Sequence, residues 1–197
     1  MRPVARQPAQ YRAPMPDGGQ LRPGTVLNLP NIITFGRLCA VPVAIWLVLR
    51  RQLGVACVLF AAAGMSDAID GWLARRRGGS ALGAILDPLA DKALLIGMFV
   101  TLAATGVLPD WIAILVVFRD VLIVGGVCIL WFTHAPVRIR PLWISKLNTA
   151  LQLALVGLVL LLAGFDLSAS WLVWTLIWAV ALTTLGSGAA YVIKAAR

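Results

Sequence analysis

From residue 29 onward, long apolar runs alternate with short polar or glycine-containing breaks. Six runs, at 29–49, 53–74, 81–105, 109–132, 143–164 and 168–193, each come near the roughly 20 residues that a helix needs to cross a bilayer. The breaks hold charge or turn formers: Arg50-Arg51, Arg75 to Gly79, Gly106 to Pro109, Thr133 to Pro141 and Gly164 to Asp166. Trp46, Trp72, Trp111, Trp131, Trp143 and Trp171 fall within a few residues of a run's end, as an interfacial aromatic belt does. The pattern predicts an all-α, polytopic membrane protein: a bundle of six transmembrane helices spanning residues 25–197. No internal repeat of the kind that marks transporters is visible.

Composition agrees. Of 197 residues, 60% are hydrophobic and 13% charged, against roughly 45–50% apolar and about 25% charged in soluble domains. A soluble globule is excluded. The net charge of +9 belongs to loops between apolar runs, so it does not indicate nucleic-acid binding. Twelve basic residues lie on one side of the predicted bundle, in the N-terminal segment, Arg75 to Arg77, the 134–146 connection and the C-terminus. Arg50 and Arg51 lie on the other. The asymmetry predicts that both termini are cytoplasmic. Residues 1–24, with five prolines and four arginines, read as a disordered basic tail. It either attracts anionic lipid weakly or acts only as a topology signal. Cys39, Cys57 and Cys128 have no metal-ligand spacing and read as small packing residues.

All eight acidic residues are aspartate, and five of them lie in apolar surroundings between Asp67 and Asp120. A charged residue at the centre of a spanning helix costs roughly 2.5–3.5 kcal/mol, which argues for function or paired structure. Asp67, Asp70 and Ala74 stand at i, i+3 and i+7 on the second run. Gly83, Asp87 and Asp91 stand at i, i+4 and i+8 on the third. Each set shares one helix face. A short basic turn joins the two helices, so antiparallel neighbours with opposed carboxylate faces are expected. Such carboxylates repel unless cations sit among them. Oxygen donors suit Mg²⁺ or Mn²⁺, and two such ions form the clamp used in in-line phosphoryl chemistry. Gly71, Ala74 and Gly83 leave room for a diphosphate beside the backbone.

These residues resemble the signature of the CDP-alcohol phosphotransferase family, which joins D-x2-D-G-x2-A-R to G-x3-D-x3-D. Asp67, Asp70, Gly71, Ala74, Arg75, Gly83, Asp87 and Asp91 occupy all eight positions. Seven residues separate Arg75 from Gly83, one fewer than usual in the family, and the difference falls in the turn. The resemblance implies that Asp67, Asp70 and Asp87 ligate two divalent cations. The resemblance further implies that Asp91 lies at the metals and serves as the general base toward the acceptor hydroxyl. Asp70, Gly71, Ala74, Arg75 and Gly83 are implied to line the CDP site. Asn31, Thr34 and Arg37, at three-residue steps on the first helix, form a polar stripe that can face the nucleotide. Bundle packing is the other reading of Asn31 and Thr34.

Leu86 to Lys92, Arg119-Asp120 and Ile144 to Thr149 with Gln152 look like the cardiolipin synthase branch of that family. The expected reaction joins phosphatidylglycerol to the phosphatidyl group of CDP-diacylglycerol, giving cardiolipin and CMP. The alternative is phosphatidylglycerophosphate synthesis from glycerol 3-phosphate. In those enzymes a second arginine follows the fourth-helix arginine by eight residues, where this chain has Val127. Arg37, Arg119 and Lys146 are the candidate acceptor-binding residues, and Arg119 can equally be a structural partner of neighbouring carboxylates. A cation-coupled transporter is the remote alternative, and it would not require Gly71, Ala74 and Arg75 at their spacings. The small-residue run Gly186 to Ala190 permits close helix approach and suggests a homodimer. The expected setting is a bacterial inner membrane, with the site facing the cytoplasm.

Overall fold

The computed structural model describes residues 29–77, 81–132 and 143–195, with side chains described over 35–66, 89–125 and 143–190. The expected tail at 1–24 lies outside the described residues. Six helices follow in order: α1 (Leu29–Leu49), α2 (Leu53–Arg77), α3 (Ala81–Ala104), α4 (Asp110–Phe132), α5 (Trp143–Gly164) and α6 (Ser170–Ala195). No strand occurs among the described residues. The apolar pattern located every helix to within three residues. α2 runs three residues beyond expectation, to Arg77, because cationic side chains suit the negative end of the helix dipole.

Packing closes the helices into a ring. Among the described residues α1 touches α2 and α3, α4 touches α3 and α6, and α5 joins α6 back to α2. α3 also meets α5 across the middle. α2 and α3 do not contact each other directly among these residues; α1 and α5 are their shared neighbours. The expected direct pairing of α2 and α3 concerns their ends at Asp67 to Asp87, whose side chains lie outside the described residues.

The core gathers toward the end of the bundle where α1–α2, α3–α4 and α5–α6 turn. Phe99, Met98, Leu102, Ile112, Leu155, Leu160 and Ile177 are fully buried there. Outward-facing positions are also apolar: Ile114, Phe118 and Val121 on α4, and Trp178, Leu182 and Leu185 on α6, are all exposed. Soluble monomers rarely expose contiguous apolar surface on this scale, and a lipid-solvated protein does. Two helices, Trp143–Gly164 and Ser170–Ala190, are each long and apolar enough to cross a membrane. Together these features suggest a membrane protein.

Each of the three turns places one residue in the left-handed conformation at the helix end. Gly106 has a positive φ, its N–H bonds Ala103 O at 2.8 Å, and Val107 N–H bonds Leu102 O at 2.9 Å. This pair of bonds is a Schellman stop, which satisfies carbonyls left open at a helix end. Arg51 repeats it, with its own N–H on Val48 O and that of Gln52 on Leu47 O. At the third turn Asp166 takes the left-handed position, and Leu167 N–H bonds Leu162 O at 2.9 Å. Non-glycine residues pay roughly 1–2 kcal/mol for that conformation, so two of the three turns hold strain. The α5–α6 turn is also pressed against α2. A methyl group at Gly164 would sit 2.5 Å from the Gly54 nitrogen, so only glycine fits where these helices meet.

The described tryptophans Trp46, Trp111, Trp143, Trp171, Trp174 and Trp178 are all exposed, and Trp72 and Trp131 lie outside the described side chains. Trp46 carries the Arg50 guanidinium 5.6 Å from its ring centroid, and Trp143 is largely exposed. Trp178 stacks at a tilt on Trp111, with centroids 5.6 Å apart, tying α6 to α4. Cys57 packs against the core, whereas Cys39 is exposed on α1 and packs less than expected.

Candidate active site

The end of the bundle opposite the three turns is polar, and its chemistry begins on α2 and α3. On α2 the buried positions Ala56, Phe60 and Ala63 recur every three or four residues, and positions 67, 70 and 74 continue that spacing. On α3, positions 83, 87 and 91 lead in the same way into buried Leu94, Leu95 and Met98. Both acidic sets therefore lie on the helix stripes that form the core further along. The side chains of Asn31, Thr34, Asp67, Asp70, Gly71, Ala74, Arg75, Gly83 and Asp87 lie outside the described residues.

Asp91 is described, and it is held from α1. The Arg37 guanidinium, buried within the bundle, donates from Nη1 to Asp91 Oδ1 at 2.5 Å. The contact links a residue expected at the acceptor to the expected general base. Sequence spacing gave no hint of the pairing, because the two positions lie on different helices.

Beside it a second network crosses four helices. Lys92 Nζ on α3 donates to Asp120 Oδ2 on α4 at 2.6 Å, and Arg119 Nη1 donates to Asp120 Oδ1 at 2.8 Å. Arg119 then reaches two more helices. Its Nη2 donates to Ser145 Oγ on α5 at 2.6 Å, and its Nε to Ser187 Oγ on α6 at 3.0 Å. Asp120 is 3% exposed and Arg119 4%. Buried charges are tolerated only when paired and hydrogen-bonded, and here one carboxylate receives two cations. Arg119 is thus tied to Asp120, and its other contacts are hydroxyls. Lys146 lies apart from this network: it is exposed, with Nζ 5.4 Å from the centroid of the Trp143 ring.

α5 contributes a stripe the sequence reading did not assign to the site. Ser145, Asn148 and Gln152 stand at i, i+3 and i+7, and continue into buried Leu155, Val156 and Val159. Asn148 Oδ1 accepts from Thr183 and Thr184 on α6, each at 2.9 Å. Asn148 Nδ2 and both amide atoms of Gln152 are buried without a partner. An unsatisfied buried polar group costs about 1–3 kcal/mol. The signal that could have found this stripe was the 3–4 spacing of polar residues within an otherwise apolar helix.

The small-residue run on α6 has an explanation within the chain. A methyl at Gly186 would meet Ile144 Cδ1 at 3.3 Å, Gly188 lies beside the Arg119 stem, and Ser187 is buried on Arg119. The run brings α6 close to α4 and α5 of the same chain, so it no longer argues for contact with a second copy.

A family model described as CDP-alcohol phosphatidyltransferase matches residues 27–185. The chain belongs to the CDP-alcohol phosphatidyltransferase family. The match runs from the start of α1 to α6, and so takes in Arg37, the acidic positions of α2 and α3, Arg119 and the α5 stripe. Three relatives illustrate the similarity. A cardiolipin synthase (CMP-forming)/mitochondrial hydrolase fusion protein of Schizosaccharomyces pombe is 36% identical, over 86% of this chain and 31% of its own length. A chloroplastic CDP-diacylglycerol–glycerol-3-phosphate 3-phosphatidyltransferase of Oryza sativa is 36% identical, over 85% and 57%. A human cardiolipin synthase (CMP-forming) is 32% identical, over 96% of this chain and 70% of its own. The chain therefore spans only part of the first two relatives.

Proposed function

We propose that this phosphatidyltransferase makes cardiolipin, moving the phosphatidyl group of CDP-diacylglycerol to a hydroxyl of phosphatidylglycerol and releasing CMP. The observation that carries the reading is the complete acidic signature on the core-forming stripes of α2 and α3, with its last member, Asp91, held by Arg37. The donor set fits Mg²⁺ or Mn²⁺: carboxylates are hard oxygen ligands, and four of them in an apolar bundle need cations. Asp67, Asp70, Asp87 and Asp91 would hold two such ions. When bound, they would neutralise the pyrophosphate and the departing CMP.

The chain's own groups do the rest. Asn31, Thr34, Asp70, Gly71, Ala74, Arg75 and Gly83 hold the CDP moiety. Arg37 fixes Asp91, which takes the proton from the acceptor hydroxyl. The hydroxyl oxygen attacks the phosphorus attached to diacylglycerol, a new P–O bond forms, and the bond to CMP breaks. Arg119, immobilised by Asp120, Ser145 and Ser187, presents a buried cation to the acceptor phosphodiester, and exposed Lys146 meets its headgroup at the surface. Six spanning helices with both termini cytoplasmic, in a bacterial inner membrane, put this end at the cytoplasmic face. A homodimer is the assembly implied by the family resemblance, and crosslinking in native membranes checks it.

Glycerol 3-phosphate is the second reading of the acceptor, favoured by the Oryza sativa relative. Purified protein given CDP-diacylglycerol, Mg²⁺ or Mn²⁺, and one acceptor at a time separates the two. Cardiolipin from phosphatidylglycerol supports the proposal. Phosphatidylglycerophosphate as the sole product replaces it with the second reading.

A further inference from the structure

Gln152 stands out because nothing among the described residues satisfies it. It is 0% exposed, and neither its Oε1 nor its Nε2 has a hydrogen-bond partner. A glutamine carries an acceptor and two donors, and its burial in an apolar bundle is tolerated when another group takes them up. Its neighbour on the same stripe, Asn148, has its oxygen occupied by Thr183 and Thr184 but its Nδ2 unpartnered.

The register of α5 against α2 says where these amides stand. The two helices run antiparallel. Gly164 packs on Gly54, and Phe60 Cε1 lies 3.9 Å from a methyl placed at Gly157. Counting on in that register brings Gln152 level with Met65 and Ser66, one residue short of Asp67, and Asn148 level with Ile69 and Asp70. Positions 67 and 70 continue the buried stripe of α2, as Gln152 and Asn148 continue that of α5. The unpartnered amides therefore occur within one residue of the level of the first two acidic positions.

We infer that Gln152 is a positioning residue for the divalent-metal site. Its Nε2 donates to the carboxylate of Asp67 once that carboxylate is turned onto a metal ion, and its Oε1 accepts from a water on the ion. Asn148 Nδ2 supports Asp70 in the same way. Metal-bound carboxylates are oriented by hydrogen bonds from outside the coordination shell, and loss of such a bond typically weakens metal affinity by about 10–100-fold. Mg²⁺ keeps several of its waters when bound, which gives the Oε1 a donor. The inference rests on the metal reading above and adds a third helix to the site. It also explains why an otherwise costly amide stands in the bundle.

The test measures Mn²⁺ binding to the full chain in detergent, from the spectroscopic signal of free Mn²⁺, together with melting temperature with and without metal. Gln152→Met keeps the shape and removes the amide. It should leave the metal-free melting temperature equal or higher, because an unpartnered group is gone, and raise the Mn²⁺ Kd by about 10-fold or more. Gln152→Asn keeps an amide but withdraws it by one methylene, and should weaken binding in the same direction, which guards against misfolding of the first variant. Asp87→Asn is the reference for the metal reading. If it abolishes Mn²⁺ binding while both Gln152 variants bind within twofold of the parent, the positioning role is overturned and the metal site stands. If Asp87→Asn also binds Mn²⁺ normally, the metal reading fails and the role of Gln152 falls with it.

Discussion

The two ends of the bundle are made of the same helices but held by different forces. At the turn end, apolar side chains from all six helices interlock, two glycines bring α2 and α5 into backbone contact, and left-handed residues close the helix ends. At the polar end the same helices are joined by charge and hydrogen bonds: Arg37 to Asp91, and Lys92 through Asp120 to Arg119, Ser145 and Ser187. In lipid, apolar burial gives little drive for helix association, so close packing and polar contacts must do the work. The turn end meets that need by fit alone. The polar end also keeps buried polar atoms without a partner among the described residues, such as both amide atoms of Gln152. The difference teaches that both ends hold the bundle together, by fit at one and by paired charge at the other, while the reactive groups collect only at the polar end.

Substitutions should then separate the groups that hold the bundle from those that react. The largest effect is expected at Asp91. Asp91→Asn should lower CMP release per folded molecule by at least 10²-fold, on the order of a lost general base, while the protein still inserts into the membrane. CMP release at the parent rate would remove Asp91 from the chemistry. Next is Asp120→Leu. It leaves the buried Arg119 and part-buried Lys92 cations without their carboxylate, and should destabilise the protein by about 3–5 kcal/mol in denaturant titration. A loss under about 1 kcal/mol would mean that the network holds nothing together.

Smaller effects belong to the turn end. Gly164→Ala drives a methyl into the α2 backbone and should cost about 1–3 kcal/mol, with turnover per folded molecule unchanged. A fall in turnover beyond the loss of folded protein would show that the two ends are coupled. Asp166→Gly relieves a left-handed aspartate and should stabilise by about 0.5–1 kcal/mol, read as a small rise in melting temperature. An unchanged or lower melting temperature would mean that the turn stores no strain.

Much of this division was written along the chain. Apolar runs, turn residues and tryptophans placed all six helices to within three residues, because bilayer thickness and helix rise leave little freedom in length. The spacing of Asp67, Asp70, Asp87 and Asp91 predicts two acidic faces, and of these four only the Asp91 side chain lies within the described residues. Which helices touch was harder to read. That α1 and α5 stand as shared neighbours of α2 and α3 depends on packing across the bundle, and no local pattern encodes it. For the same reason Lys92–Asp120 and Arg37–Asp91 were invisible as pairs, although each residue was conspicuous alone. The Gly186 to Ala190 run had a clear meaning, close approach, but sequence could not say whether the approaching helix was its own. Ser145, Asn148 and Gln152 were legible as a polar stripe on α5, and their importance emerged only from burial and from the amide atoms left without partners.

The most direct measurement is to locate Mn²⁺ by anomalous scattering in crystals of the protein with CDP-diacylglycerol. The account predicts two peaks about 3.5–4 Å apart, among Asp67, Asp70, Asp87 and Asp91. Carboxylates that converge on the pyrophosphate with no metal density between them, or metal bound elsewhere, would contradict it.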